Sequence, residues 1–223
     1  MKMGLVVEKD KMVSIKNVWD SMKTTFLKII EPLGNFLVRL NINPNAFTTV
    51  GFSISMFSGY FFATGSLRLG AVFVFLSGIF DILDGKIARA SNQVTRFGAL
   101  YDSTLDRYAE MIVYFGIAYY FISQDMFKSS IASCIALGGS VMVSYVRARA
   151  EGLGFSCKVG IFQRPERIIT MGAAALIHVY ALSVGMVILA IMTNVTAIQR
   201  IYFIYSKENG KKDEIIDEFD KMG

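Results

Sequence analysis

Three stretches of the sequence carry no charged side chain, and nothing else constrains its fold as strongly: Asn45 to Ser66, Ser129 to Val146, and Ile168 to Gln199. The first two are each long enough to cross a bilayer core of about 30 Å at about 1.5 Å per residue. The third has 32 residues. As one helix it would extend about 48 Å, well beyond the bilayer. It therefore reads as a hairpin of two spans turning near Ser183 to Gly185. Two further apolar runs, Leu69 to Phe80 and Met111 to Ser123, are too short to span alone. Each becomes long enough only by continuing through its acidic neighbours, Asp81 in the first case and Asp102, Asp106, Arg107 and Glu110 in the second. The expectation is an all-α integral membrane protein with six transmembrane helices, roughly 45–66, 68–91, 97–123, 127–150, 164–181 and 184–206. A hydrophobic content of 53% and a mean hydropathy of +0.46 fit that class and not a soluble domain.

Basic residues orient the spans. Of 23 lysines and arginines, only Arg68 and Lys128 fall in the outer loops if both termini are cytoplasmic. This is the positive-inside asymmetry of an even number of spans. The net charge of +5 then describes a face that meets anionic lipid. Nucleic acid is not an expected partner, because no compact soluble module remains to bind it. Cys134 and Cys157 have no CxxC spacing and imply no disulfide framework. His178, the single histidine, falls in the apolar fifth span and reads as a packing residue rather than a metal ligand.

Before the first span, Ile15, Val18, Trp19, Met22, Phe26, Ile29, Ile30, Leu33 and Leu37 recur at helical spacing with lysines between them. This predicts an N-terminal amphipathic helix, interrupted near Pro32 and Gly34. It would lie flat in the interface or pack on the cytoplasmic ends of the bundle, and both arrangements fit the pattern. Asn41 to Asn45 breaks it, and no cleavable signal is expected. The division is a tail and juxtamembrane helix at 1–40, a membrane domain at 41–206, and a charged cytoplasmic tail at 207–223.

The chemistry points to four carboxylates. Asp81 and Asp84 are three apart at the end of span two, and Asp102 and Asp106 are four apart at the start of span three. Each spacing keeps a pair on one helix face. A turn around Ser91 to Thr95 would bring the helices together antiparallel at the cytoplasmic side. Four carboxylates beside lipid are costly unless neutralised. Hard oxygen donors suit magnesium or manganese, and two such ions would fit a site that binds a pyrophosphate and supports in-line displacement at phosphorus. Gly85, Ala88 and Gly98 leave the same faces free of bulk. The bland alternative, solvated helix ends capped by Arg89, Arg96 and Arg107, accounts for two aspartates better than for four.

The run Asp81, Asp84, Gly85, Ala88, Arg89, Gly98, Asp102, Asp106 matches DxxDGxxARx8GxxxDxxxD at every fixed position. It resembles the signature of the CDP-alcohol phosphotransferase family. That resemblance implies six helices, often a homodimer, and a metal site at the cytoplasmic interface. It implies that Asp81, Asp84 and Asp102 are metal ligands, and that Asp106 ligates metal or is the general base for the acceptor hydroxyl. Asp84, Gly85, Ala88 and Gly98 would accommodate the CMP moiety, and Arg89 would compensate phosphate charge. Pro44 to Thr48 is similar to the family's PNxxT element, with Pro44 and Thr48 flanking the cytidine. The reaction implied is transfer of a phosphatidyl-type group from a CDP-lipid donor to an alcohol.

The acceptor is read from a second group. Ser144, Arg147 and Arg149 end span four, Arg164 opens span five ahead of Pro165, and Arg200 ends span six. Guanidinium forks suit phosphate, so these arginines could form a pocket for a phosphorylated acceptor. Each alone also serves as an ordinary positive-inside anchor. SYVRARAE and RPER are similar to segments of the phosphatidylinositol-phosphate and archaetidyl subfamily, which implies inositol 1-phosphate. The loop Gly152 to Gln163 departs from that likeness. Glycerol 3-phosphate is the alternative acceptor, and a cation transporter with an acidic site is the alternative outside catalysis. The expected setting is a prokaryotic cell membrane with the site on the cytoplasmic side.

Overall fold

The computed structural model describes residues 43–90 and 94–222, with side chains as far as Gly210. The predicted amphipathic helix and the turn residues 91–93 lie outside the described residues. Six helices follow: α1 (Pro44–Ala63), α2 (Leu67–Ala90), α3 (Arg96–Ser123), α4 (Phe127–Gly152), α5 (Arg164–Ile177) and α6 (Val179–Met222). No strand occurs among the described residues. α1, α4 and the stretch Val179–Gly210 of α6 are long and apolar enough to cross a membrane. The protein is an integral membrane protein, all-helical among the described residues. At 24 and 28 residues, α2 and α3 reach spanning length only by including the acidic segments. α5 is 14 residues, about 21 Å, and so shorter than a bilayer core.

Local chemistry sets the helix starts. Asn43 caps α1, its side chain accepting from Asn45 N at 3.0 Å, and Pro44 occupies the first turn, where its missing N–H costs nothing. Thr95 caps α3 through Gly98 N at 2.9 Å. The expected turn at Ser183 to Gly185 is not there. The chain reverses at His178, a single extended residue between α5 and α6, exposed and stacked on Tyr180. Ser183 and Gly185 are packing residues within α6. Ser183 bonds Ser129 of α4 at 2.7 Å, and a Cβ on Gly185 would lie 3.1 Å from Ala174 Cβ. His178 is therefore a hinge residue outside the fifth helix, not packing within it. The charged end of the chain continues α6 to Met222.

The helices form a ring in the order α1, α2, α5, α6, α4, α3, each packed on the next and α3 closing on α1. Its apolar core, with Phe62, Ile117, Phe121, Leu182, Met186 and Leu189 fully buried, fills the half away from the aspartates. Lipid is as apolar as these side chains, so helix association depends on close backbone approach and interhelical hydrogen bonds. Ser58 donates to Gly70 O at 2.8 Å and Ser77 to Gly51 O at 3.0 Å, fastening α1 to α2. α1 and α3 meet at Gly59 and Gly116, where a Cβ on Gly116 would stand 2.2 Å from Gly59 O. Backbone cannot yield as a side chain can, so Gly116→Ala is expected to cost about 1–3 kcal/mol. A lower unfolding temperature in detergent checks this. An unchanged one would mean that α1 and α3 part freely.

Candidate active site

The last turns of α2 and the first turns of α3 face each other at the end of the ring opposite the apolar core. Asp81, Asp102 and Asp106 each place a carboxylate oxygen within 4.8 Å of the others, all partly buried. Their convergence follows from the spacing: Asp102 and Asp106 share one face of α3, and Asp81 looks across from α2. Asp84 does not join this trio. It is 5% exposed, and its Oδ2 accepts from Thr48 Oγ1 at 2.8 Å, a hydroxyl that also lies 3.2 Å from Pro44 O. Asp84 thus ties the start of α1 to α2. The one-face spacing of Asp81 and Asp84 holds, but a three-residue step rotates about 60° short of a full turn, enough for each to meet a different partner.

Arginine neutralises the trio. Arg164 Nη1 sits 2.7 Å from Asp106 Oδ1 and also pairs with Asp81 Oδ1. Arg107 Nη1 lies 3.3 Å from Asp106 Oδ2 and donates to Ser103 O at 2.9 Å. Asp102 Oδ1 is buried without a hydrogen-bond partner among the described residues. An unpartnered carboxylate oxygen, beside two others within a few ångströms, is a donor set that fits a hard divalent cation.

These groups line one wall of a cavity of about 840 Å³. Gly85 and Arg89 lie on the same wall, and a Cβ on Gly85 would reach only the flexible Arg89 guanidinium, at 3.5 Å. Ser144, Arg147, Arg164, Arg167 and Arg200 line the other side. Phe75, Ile79, Ile82, Ile168 and Ile169 give it an apolar flank between α2 and α5.

The remaining expected residues sit elsewhere. Pro44 is buried at the α1 start, and Ala88 is half-buried outside the cavity lining. Gly98 lies against α1, where a Cβ would be 2.9 Å from Thr95 Oγ1 and 3.2 Å from Asn45 Oδ1. It admits the close approach of α3 to the start of α1. Arg149 is exposed and does not line the cavity. Arg200 does not end its helix. It is 3% exposed, donates Nε to Val159 O at 2.8 Å and Nη1 to Val143 O, and so fastens the α4–α5 loop to α4. Arg147 is paired with Glu151 at 2.9 Å.

Two functional-looking groups escaped the sequence reading. Glu110 and Arg167 form a buried pair, of which Arg167 lines the cavity. Their spacing was a usable signal, since Glu110 extends the Asp102–Asp106 face by one turn and Arg167 follows Arg164 by one.

A family model for CDP-alcohol phosphatidyltransferases matches residues 41–199. Archaetidylinositol phosphate synthase from Methanothermobacter thermautotrophicus is 34% identical over 196 residues, covering 86% of this chain and 96% of that protein. Phosphatidylinositol phosphate synthase from Mycobacteroides abscessus is 35% identical over 189 residues, covering 82% and 86%. The crystal structure of the Mycobacterium tuberculosis phosphatidylinositol phosphate synthase with CDP-DAG bound superposes with a TM-score of 0.72 at 34% identity, covering 78% of this chain and 92% of that one. The same enzyme in complex with manganese and citrate gives 0.70. Ring, carboxylate cluster and these likenesses agree, and the chain belongs to the CDP-alcohol phosphatidyltransferase family. It is a transferase of phospholipid synthesis, and the transporter alternative falls with that membership.

Proposed function

We propose that this protein transfers the phosphatidyl-type group of a CDP-activated lipid to inositol 1-phosphate, releasing CMP. The observation that carries this reading is that one cavity joins the carboxylate cluster to a wall bearing Arg147, Arg164 and Arg200. The first suits a pyrophosphate with its cations. The second suits the phosphate of a phosphorylated polyol. The names of the archaeal and mycobacterial relatives point to the same acceptor.

In the mechanism, the acceptor hydroxyl oxygen attacks the donor's β-phosphorus in line with the pyrophosphate bridge. Asp106 takes the hydroxyl proton, the bond from β-phosphorus to the bridging oxygen breaks, and CMP leaves with that electron pair. Two divalent ions, magnesium or manganese, held by Asp81, Asp84, Asp102 and Asp106, would supply charge neutralisation for the pyrophosphate and the departing CMP. Gly85 and Arg89 border the nucleotide, Thr48 holds Asp84 beside it, and Pro44, Ala88 and Gly98 shape the helix junction behind them. Ser144, Arg147, Arg164 and Arg200 orient the acceptor phosphate, and Arg149, exposed outside the cavity, adds to the positive field that attracts it. The apolar flank between α2 and α5 receives the lipid chains, of diacylglycerol or ether type. The same reading has six membrane-inserted helices, with the short α5 reaching only part of the way across, both termini and the site facing the cytoplasm of a prokaryotic cell, and a homodimer.

CMP release by purified protein, supplied with CDP-diacylglycerol or its archaeal ether analogue and one acceptor at a time, is the test. Inositol 1-phosphate is expected to outrun glycerol 3-phosphate, free inositol and serine. Preference for glycerol 3-phosphate would replace the acceptor but keep the arginine argument. Turnover with free inositol or serine alone would refute both.

A further inference from the structure

Beneath the aspartates, Glu110 of α3 accepts from Arg167 Nε at 3.0 Å and Arg167 Nη2 at 2.5 Å, both at Oε1, while Ser140 of α4 donates to Oε2 at 3.0 Å. Arg167 is 3% exposed and Glu110 10%. Two charges so deep in a membrane protein carry a desolvation cost that their attraction need not repay. Well-packed apolar residues would often serve stability as well or better. Their use calls for a reason other than stability.

The reason lies in what stands one turn away. Asp106 precedes Glu110 by four residues on α3, and Arg164 precedes Arg167 by three on α5, so two arginine–carboxylate rungs cross the ring in parallel. α3 and α5 are not packing neighbours along the ring, so the rungs bridge its interior rather than a helix seam. The Asp106–Arg164 rung consists of groups that the proposed reaction uses. Its geometry has to change as substrates enter, so it cannot also fix the register. α5 is held on α2 and α6 through Met171, Gly172 and Ala175, but those contacts do not reference it to α3, and it is short and ends at the single-residue break of His178.

We infer that Glu110 and Arg167 are positioning residues. Their pair, seated on Ser140, fixes the height and rotation of α5 so that Arg164 meets the reacting end of Asp106. Two guanidinium N–H groups converging on Oε1, with Ser140 on Oε2, make the restraint orientational as well as electrostatic. This rests on the proposed roles of Asp106 and Arg164, not on which acceptor is used.

A Glu110→Gln/Arg167→Met double variant removes the charges while keeping the volumes, so a purely structural role would survive it. The expected result is an unfolding temperature and manganese affinity close to wild type, with kcat lowered about 10²-fold, the scale of a misplacement near 1 Å. Arg167→Lys, which restores charge without the fork, should recover only part of that loss. A folded double variant with wild-type kcat overturns the inference. If the double variant is lost on extraction, Arg167→Lys alone, which leaves the buried carboxylate paired, is read in the same way. Turnover is measured with whichever acceptor the wild type uses. Failure of the inositol 1-phosphate reading appears in the wild type, and failure of this one only in the variants.

Discussion

Asparagine in place of Asp106 is expected to abolish turnover, with a fall in kcat of roughly 10³-fold, within the range attributed to a positioned acid or base. The substitution preserves volume and leaves a carbonyl oxygen where one carboxylate oxygen was. What it removes is the ability to take the acceptor's proton, together with half of the negative charge that Arg164 spans, because Asp81 remains on the other side of the guanidinium. Donor binding should survive. The Thr48–Asp84 hydrogen bond and the open face at Gly85 lie on α1 and α2 and do not pass through Asp106. Titration with CDP-diacylglycerol under manganese, followed by CMP release with acceptor present, separates the two effects. Undiminished release would sink the base assignment. Loss of donor binding together with turnover would instead make Asp106 chiefly a holder of the pyrophosphate.

The aspartates were legible because a helix converts spacing into a shared face, and because carboxylates inside apolar runs are too costly to keep without a partner or a task. Helix starts are set just as locally, since a cap such as Asn43 or Thr95, or a proline such as Pro44, acts within one turn. What failed depended on neighbours distant in the chain. Ser183 and Gly185 carry ordinary turn chemistry, yet a serine that finds Ser129 and a glycine that admits Ala174 belong inside a helix. No sequence window around them contains either partner. Asp84 shares the face of Asp81, and only the fold shows that Thr48, 36 residues earlier, engages one of its oxygens. The arginines show the same limit. All carry the right chemistry, yet two chain positions separate Arg147 on the cavity wall from Arg149 outside it, and Arg200 is engaged by the backbone carbonyls of Val143 and Val159. Pair partners across a ring are a property of its closure, which single-helix periodicity does not encode.

Arg164 gives the second large expected effect, and its two signs are opposite. Its Nη1 touches the same oxygens of Asp81 and Asp106 that a cation would take. Guanidinium and divalent ion therefore compete: a single and a double positive charge 4 Å apart repel by about 8 kcal/mol at an effective dielectric near 20. A flexible side chain escapes most of that by swinging toward the arginine wall, so Arg164→Gln should tighten manganese binding by only about 10-fold rather than the full Coulomb factor. Turnover should move the other way. With the charge gone, nothing at that point joins the acceptor phosphate to the carboxylate cluster, and kcat/KM for the acceptor should fall about 10²-fold, in keeping with the loss of a strong charge-assisted contact in a water-poor site. Arg164→Lys separates charge from shape: manganese affinity should stay near wild type while turnover stays low, because an ammonium cannot bridge two partners as a planar fork does. Manganese binding followed by electron paramagnetic resonance reads the first effect without any reaction taking place. If Arg164→Gln binds manganese no more tightly than wild type, guanidinium and cation do not share these oxygens, and Arg164 belongs to the acceptor pocket alone.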